Sequence, residues 1–133
     1  MKIIDLQARC DHVPFFRFLG VSIKEVDDKH IMAHMPFTDR LMGNPVLKTY
    51  HGGVIASFME AIASLCVLDD TNAPPAKPIN LTVDYLRPGF AGILTTRATI
   101  TKKGRRMASV ETVAWLENEE KPIAKGLFHF LLV

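Results

Sequence analysis

One stretch of the chain carries residue types at a spacing that could do chemistry. His51-Gly52-Gly53 opens a run, residues 54–68, that reads as one long and mostly apolar helix with a single acid, Glu60, at its middle. Two glycines at a helix entrance leave backbone N–H groups bare, and the helix dipole adds partial positive charge there. A carboxylate inside an apolar helix costs free energy unless something uses it. The amides of Gly52 and Gly53 can polarise a carbonyl oxygen. Glu60 can serve as general base on water or as nucleophile on an acyl carbon. Together they describe acyl transfer to water. Seven residues of helix rise about 10 Å, so Glu60 does not reach a carbonyl held at its own helix entrance. A second helix, antiparallel across a twofold axis, brings the acid of one chain to the entrance of the other. The expected site therefore lies at a dimer interface and occurs twice.

Several neighbours have two readings each. His51 orients the loop or the substrate carbonyl, or its ring packs and bonds to the loop backbone. Asn44 is a hydrogen-bond donor above the entrance, or a turn-forming residue before Pro45. Glu60, read blandly, is a buried carboxylate neutralised or paired with Lys or Arg. Lys102, Lys103, Arg105 and Arg106 flank Gly104; they form a solvated basic hairpin, or a phosphate grip for a nucleotide-bearing substrate that Arg87 joins. His30 and His34 share a strand face but lack a third ligand, so no metal site is expected.

The elements that must position these residues follow from periodicity. At 133 residues and 48% apolar content, the chain is read as one domain, residues 1–133. Sixteen basic against fourteen acidic residues is too mild a balance for nucleic acid. Two cysteines, Cys10 and Cys66, make neither a metal spacing nor a redox pair. No signal pattern and no membrane-length apolar run is seen, and a reduced, cytoplasmic setting is expected. Residues 2–10 read as a short amphipathic helix broken by Pro14. Phe15, Phe16, Phe18 and Leu19 form a hydrophobic plug over the core. Residues 21–27 and 30–36 alternate as a hairpin, and residues 38–50 read as a loop. After the helix come strands at 78–88, 94–103, 106–116 and 123–133, the last three a meander. In the first of them Ile79, Leu81, Val83 and Tyr85 point one way and Asn80, Thr82 and Asp84 the other. One dominant helix wrapped by a curved antiparallel sheet is an α+β domain. Phe37, Tyr50, Phe58 and Tyr85 either line an aromatic pocket or belong to the core.

His51-Gly52-Gly53-Val54 with Glu60 resembles the signature of hot-dog-fold thioesterases: HGG, six residues, then Asp or Glu. The branch it is most similar to is the phenylacetate-catabolism, PaaI-type acyl-CoA thioesterases. Phe16-Arg17-Phe18-Leu19-Gly20-Val21 looks like that family's entry to its first strand. Asp84-Tyr85-Leu86-Arg87-Pro88-Gly89 looks like its Y-x-R-P strand end, and Gly104-Arg105 like its hairpin glycine. The resemblance implies a hot-dog fold, dimers with one continuous sheet and often dimers of dimers, and hydrolysis of acyl-CoA thioesters. Coenzyme A enters as part of the substrate, with no separate cofactor, nucleic acid or membrane partner. It further implies that the Gly52 or Gly53 N–H binds the thioester oxygen and that Glu60 of the partner chain is base or nucleophile. Asn44 matches the family's loop Asn. Asn80 or Thr82 takes the place of a hydroxyl that holds water, since Pro78 stands at the matching position. The alternative is a non-catalytic acyl- or CoA-binding protein on the same fold. A hydratase would need a His–acid pair that is not apparent around Glu60.

Overall fold

The computed structural model describes residues 1–132; Val133, the end of the expected last strand, lies outside the described residues. Two short helices, α1 (Ile3–Asp11) and α2 (Pro14–Leu19), precede the hairpin β1 (Ser22–Val26) and β2 (His30–Met35). A 3-10 turn, Asp39–Leu41, leads into β3 (Met42–Asn44) and β4 (Thr49–Tyr50). The long helix α3 (Gly52–Cys66) follows, then β5 (Lys77–Tyr85), β6 (Leu94–Lys103), β7 (Met107–Trp115) and β8 (Ala124–Leu131). Six strands form one antiparallel sheet in the order β1-β2-β6-β7-β8-β5, while β3 and β4 pair apart from it. This is the expected α+β arrangement.

α3 packs against β2, β5, β6, β7 and β8, so the sheet bends around it. Its buried residues are Ile55, Phe58, Met59, Ala61, Ile62, Ala63 and Leu65. The inner sheet face meets them with small or apolar side chains, among them Ala98, Val110, Ala114, Phe128 and Phe130. Closest approach falls at Gly126. A Cβ there would meet Phe128 and Thr112 Oγ1 at 2.6 Å and Met59 Cε at 3.1 Å, so only glycine lets the helix sit this near β8. The side of α3 left half-exposed carries Ala56, Ser57, Glu60 and Ser64, the small and partly polar stripe that helical spacing anticipates.

Three local features depart from expectation. Pro14 begins a helix as well as ending one: it sits in the first turn of α2, where its missing N–H costs nothing, and Gly20 closes that helix at φ +76°. Of the plug residues, Leu19 is buried and Phe16 packs on the core, but Phe15 and Phe18 stay exposed. The loop at 38–50 folds into the β3–β4 hairpin.

β5 lies at one edge of the sheet, hydrogen-bonded to β8 on one side only. Its inner face should be covered, yet Ile79 and Leu81 are 48% and 43% exposed and Tyr85 is 54% exposed. A bulge at Ile79 separates the pairs Pro78–Phe130 and Asn80–His129.

Candidate active site

The site is built from the β3–β4 hairpin, the first turn of α3 and the end of β5. The hairpin presses on the helix entrance: a Cβ on Gly43 would lie 2.6 Å from His51 Cα, and the His51 N–H donates to the Leu41 carbonyl at 2.9 Å. His51 is the N-cap of α3, with Gly52 and Gly53 its first two residues. The Gly53 N–H donates to His51 Nδ1 at 2.9 Å. An acceptor Nδ1 places the ring proton on Nε2. The Val54 and Ile55 N–H groups both donate to the His51 carbonyl, at 3.0 and 3.2 Å. The Tyr85 hydroxyl donates to the Gly52 carbonyl at 2.7 Å. One donor of the entrance is left over: among the described residues, the Gly52 N–H has no acceptor.

The two expected oxyanion donors therefore differ, and the one already engaged is Gly53. Its N–H is taken by the His51 side chain in an ordinary capping bond, which neither glycine reveals by type. The His51 ring makes the loop-to-backbone bond of its packing reading. Asn44 Oδ1 accepts from the Val46 and Leu47 N–H groups, each at 3.0 Å, as in a turn, and its amide nitrogen has no partner among the described residues.

Glu60 lies two turns along the same helix, half-buried, and makes no hydrogen bond or ion pair with any described residue. Burial pushes its pKa above the ordinary carboxylate value of 4.5. The paired-carboxylate reading thus has no partner within the chain. From Gly52 to Glu60 the helix rises about 12 Å. Neither cysteine competes as nucleophile: Cys10 is buried and Cys66 largely so, and burial pushes both thiols up to about 12. Among the described residues no group of three His, Cys, Asp or Glu side chains comes together for a cation. Among the described residues no helix is long and apolar enough to cross a membrane.

The other expected site residues are dispersed. Asn80 and Thr82 sit on the outer face of the sheet, away from α3. Asn80 Oδ1 lies 2.7 Å from His129 Nδ1, and Thr82 stands opposite Leu127, beside Asp84, Glu111 and Lys125. Strand alternation turns both from the helix of their own chain. Arg87 donates to the Pro122 carbonyl at 2.8 Å, at the end of the sheet nearest the helix entrance. The basic turn is at the opposite end: β5 pairs Tyr85 with Ala124, whereas Met107 pairs with Leu131. Arg87 and the turn cannot grip one phosphate within a chain. In that turn the Gly104 N–H donates to the Met107 carbonyl at 2.8 Å, and Lys103 Nζ bonds Asp69 at 3.0 Å. Lys102, Arg105 and Arg106 are exposed. Of the four aromatic candidates, Phe58 and Tyr50 are buried and Phe37 packs edge-on to Tyr50 at 4.9 Å; only Tyr85 meets the entrance. Sequence reasoning gave Tyr85 no role at Gly52; its position on the helix-side face of the last strand residue was the available signal.

The helix entrance, Glu60 and strands β4 to β7 fall within one family match. Residues 47–123, more than half of the chain, match the model of the thioesterase superfamily. The chain belongs to the thioesterase superfamily. It is similar to the medium/long-chain acyl-CoA thioesterase YigI of Escherichia coli K12, at 27% identity over 124 residues that cover 83% of this chain and 79% of that protein. A solved thioesterase from Haemophilus influenzae superposes with a TM-score of 0.85 at 25% identity, covering 100% of this chain and 91% of that one. The E. coli PaaI protein of the phenylacetic acid degradation operon shares the fold, with a TM-score of 0.84 at 21% identity and coverage of 98% and 91%. The hot-dog thioesterase resemblance drawn from His51-Gly52-Gly53 and Glu60 is thereby borne out at the level of family and fold.

Proposed function

We propose that this thioesterase hydrolyses the thioester of an acyl- or arylacyl-CoA to free acid and CoA, at two equivalent sites shared across a twofold dimer. The observation that carries the reading is a pair of unfinished groups. The Gly52 N–H has no acceptor, and Glu60 is half-buried with no partner. They stand about 12 Å apart along one helix, too far to act together in one chain. An antiparallel partner helix sets Glu60 of the partner subunit beside Gly52. The open edge of β5 supports that arrangement. An exposed apolar edge strand is a template for pairing with another chain, and two β5 edges meeting across the axis would cover Ile79, Leu81 and Tyr85.

In this site the Gly52 N–H, aimed along the helix dipole, holds the thioester oxygen and stabilises the charge that develops on it. The carboxylate of Glu60 from the partner subunit takes a proton from water, or attacks the acyl carbon itself. A carboxyl whose pKa is lifted towards neutrality suits proton transfer. The sulfur leaves as the CoA thiol. An acyl-CoA substrate is supported by the likeness to YigI. With β5 paired antiparallel to its twin, the Lys77 end of one chain lies against the Tyr85 end of the other. The Leu132 N–H donates to the Arg106 carbonyl, so the basic turn belongs to that Lys77 end. It would sit about 15 Å, three strand spacings, from the partner's entrance. A phosphate grip by Arg105, Arg106 and Lys102 therefore acts on the substrate bound at the other chain's Gly52.

The test is release of free thiol from a panel of acyl-CoAs by the wild type and by Glu60→Gln. Turnover by the wild type, lost in the variant while the dimer persists, is the expected result. No thiol from any acyl chain would hand the site to the non-catalytic acyl- or CoA-binding reading.

A further inference from the structure

We infer that the Tyr85 hydroxyl is a positioning residue for the Gly52 amide: it holds the Gly52–Gly53 peptide from the carbonyl side while His51 holds it from the N–H side. The inference rests on the thioester-hydrolysis reading and deepens it. Tyr85 ends β5 on the face turned towards α3, and its Oη donates to the Gly52 carbonyl at 2.7 Å. The contact is more than a single bond. Ring atoms Cε1 and Cζ lie 3.4 Å from where a Gly52 Cβ would stand, so the ring covers the glycine as well. As the first residue of α3, Gly52 already offers its carbonyl to the helix ladder. The tyrosine adds a second donor to that oxygen. At the other end of the same peptide the Gly53 N–H reaches His51 Nδ1 at 2.9 Å. Hydrogen bonds in such a chain polarise one another.

Every other backbone group of the entrance is tied: the His51 N–H to Leu41, the His51 carbonyl to Val54 and Ile55. Gly52, like Gly53, has no side chain to pack, so its torsions depend on what its carbonyl and the next amide hold. Tyr85 fixes the first and His51 the second. With the His51 carbonyl of its own peptide held by Val54 and Ile55 and the following peptide held by Tyr85 and His51, the Gly52 N–H is aimed without being consumed, which is what a preorganised oxyanion donor requires. Phenylalanine at position 85 would keep the ring contact and lose only the clamp.

Tyr85→Phe isolates the hydroxyl. Two quantities are read on the variant, with its dimer checked by sedimentation: kcat and KM with the acyl-CoA the wild type turns over best, and hydrogen exchange of the Gly53 amide by NMR. Misaiming of a reacting group by a fraction of an ångström predicts a fall in kcat of about tenfold or more, with KM within about twofold. Loosening of the peptide predicts Gly53 exchange faster by about fivefold to tenfold. Both together establish positioning. A loss confined to KM would instead make Tyr85 a substrate contact and overturn the inference. So would a kcat loss without faster exchange, or faster exchange with kcat unchanged. If the wild type releases no thiol at all, the hydrolysis reading fails on its own account, and the clamp stands or falls on the exchange measurement alone.

Discussion

Two crippled chains should rescue each other if each site takes its amide from one subunit and its acid from the twin. The first variant is Glu60→Gln, which keeps shape and removes the base; loss of a general base costs about 10²–10⁴ in rate. The second is Gly52→Pro, which deletes the one unclaimed N–H. The local structure tolerates it: Gly52 is the first residue of α3, where proline is favoured, and no hydrogen bond is lost. His51 before it is already extended at φ −64°, ψ 133°, as a residue preceding proline must be. Contact with the Tyr85 ring falls at an ordinary 3.4 Å from a Cβ. Removing one oxyanion donor costs about 10²–10³ in kcat. Each homodimer is therefore nearly inactive. After subunit exchange about half of the dimers are mixed, and each mixed dimer holds one site with an intact Gly52 and an intact Glu60, so the mixture regains about a quarter of wild-type turnover per chain. If amide and acid came from the same chain, both sites of a mixed dimer would be defective and no activity would return. Thiol release before and after exchange is the assay. Absence of recovery, with mixed dimers verified by tagged chains, would refute the shared site.

The remaining expectations bear on charge, assembly and packing. Burial lifts the Glu60 pKa, so the folded chain holds that proton more tightly than the unfolded one. Stability from this group is full below the unfolded value and is lost as pH rises through the folded value; Glu60→Gln should accordingly raise Tm at neutral pH, with the gain vanishing below about pH 4, in scans at matched protein concentration. The same shift should move the acid limb of kcat/KM upward from where an unburied glutamate would put it. Leu81→Lys on the open β5 face forfeits about 1.5–3 kcal/mol of apolar burial per chain and sets two cations face to face, so sedimentation should show monomer and turnover should fall with it. A dimer that survives this change uses another face. Gly126→Ala pushes a methyl into contacts of 2.6 Å with Phe128 and Thr112; overpacking of about 1–3 kcal/mol should lower Tm by several degrees, visible by calorimetry.

How far the sequence alone could be read follows from which forces are local. α3 was legible because an apolar run of helical length with one acid has few other solutions, and the stripe of Ser57, Glu60 and Ser64 was placed correctly by the 3.6-residue period. The β1–β2 hairpin and the β6–β7–β8 meander follow from alternation and short turns. Pro14 was misleading because the same missing N–H that stops a helix interior suits a first turn. Pairing between distant strands was not legible. Nothing local says that β5 lies beside β8 rather than β6, and that one fact leaves β5 as an edge of the sheet. The alternation of β5 was read correctly, yet Asn80 and Thr82 were still offered to the site. That the face they occupy is turned from α3 shows only once the sheet is set against the helix.

The unfinished features of the single chain share one remedy. An apolar edge strand in water invites association, a half-buried carboxylate without a partner costs stability, and an amide without an acceptor gains nothing for the helix it begins. Any one of these alone would be ordinary. Tyr85 joins two of them, since it belongs to the exposed face of β5 and bonds the residue whose N–H is free. The stripe bearing Glu60 remains half-exposed on the helix that same residue touches. A second copy pairing at β5 covers the edge and brings its own Glu60 to the free amide in the same movement. On the proposed reading assembly and catalysis depend on one surface, and a substitution that opens the edge would also separate the acid from the amide.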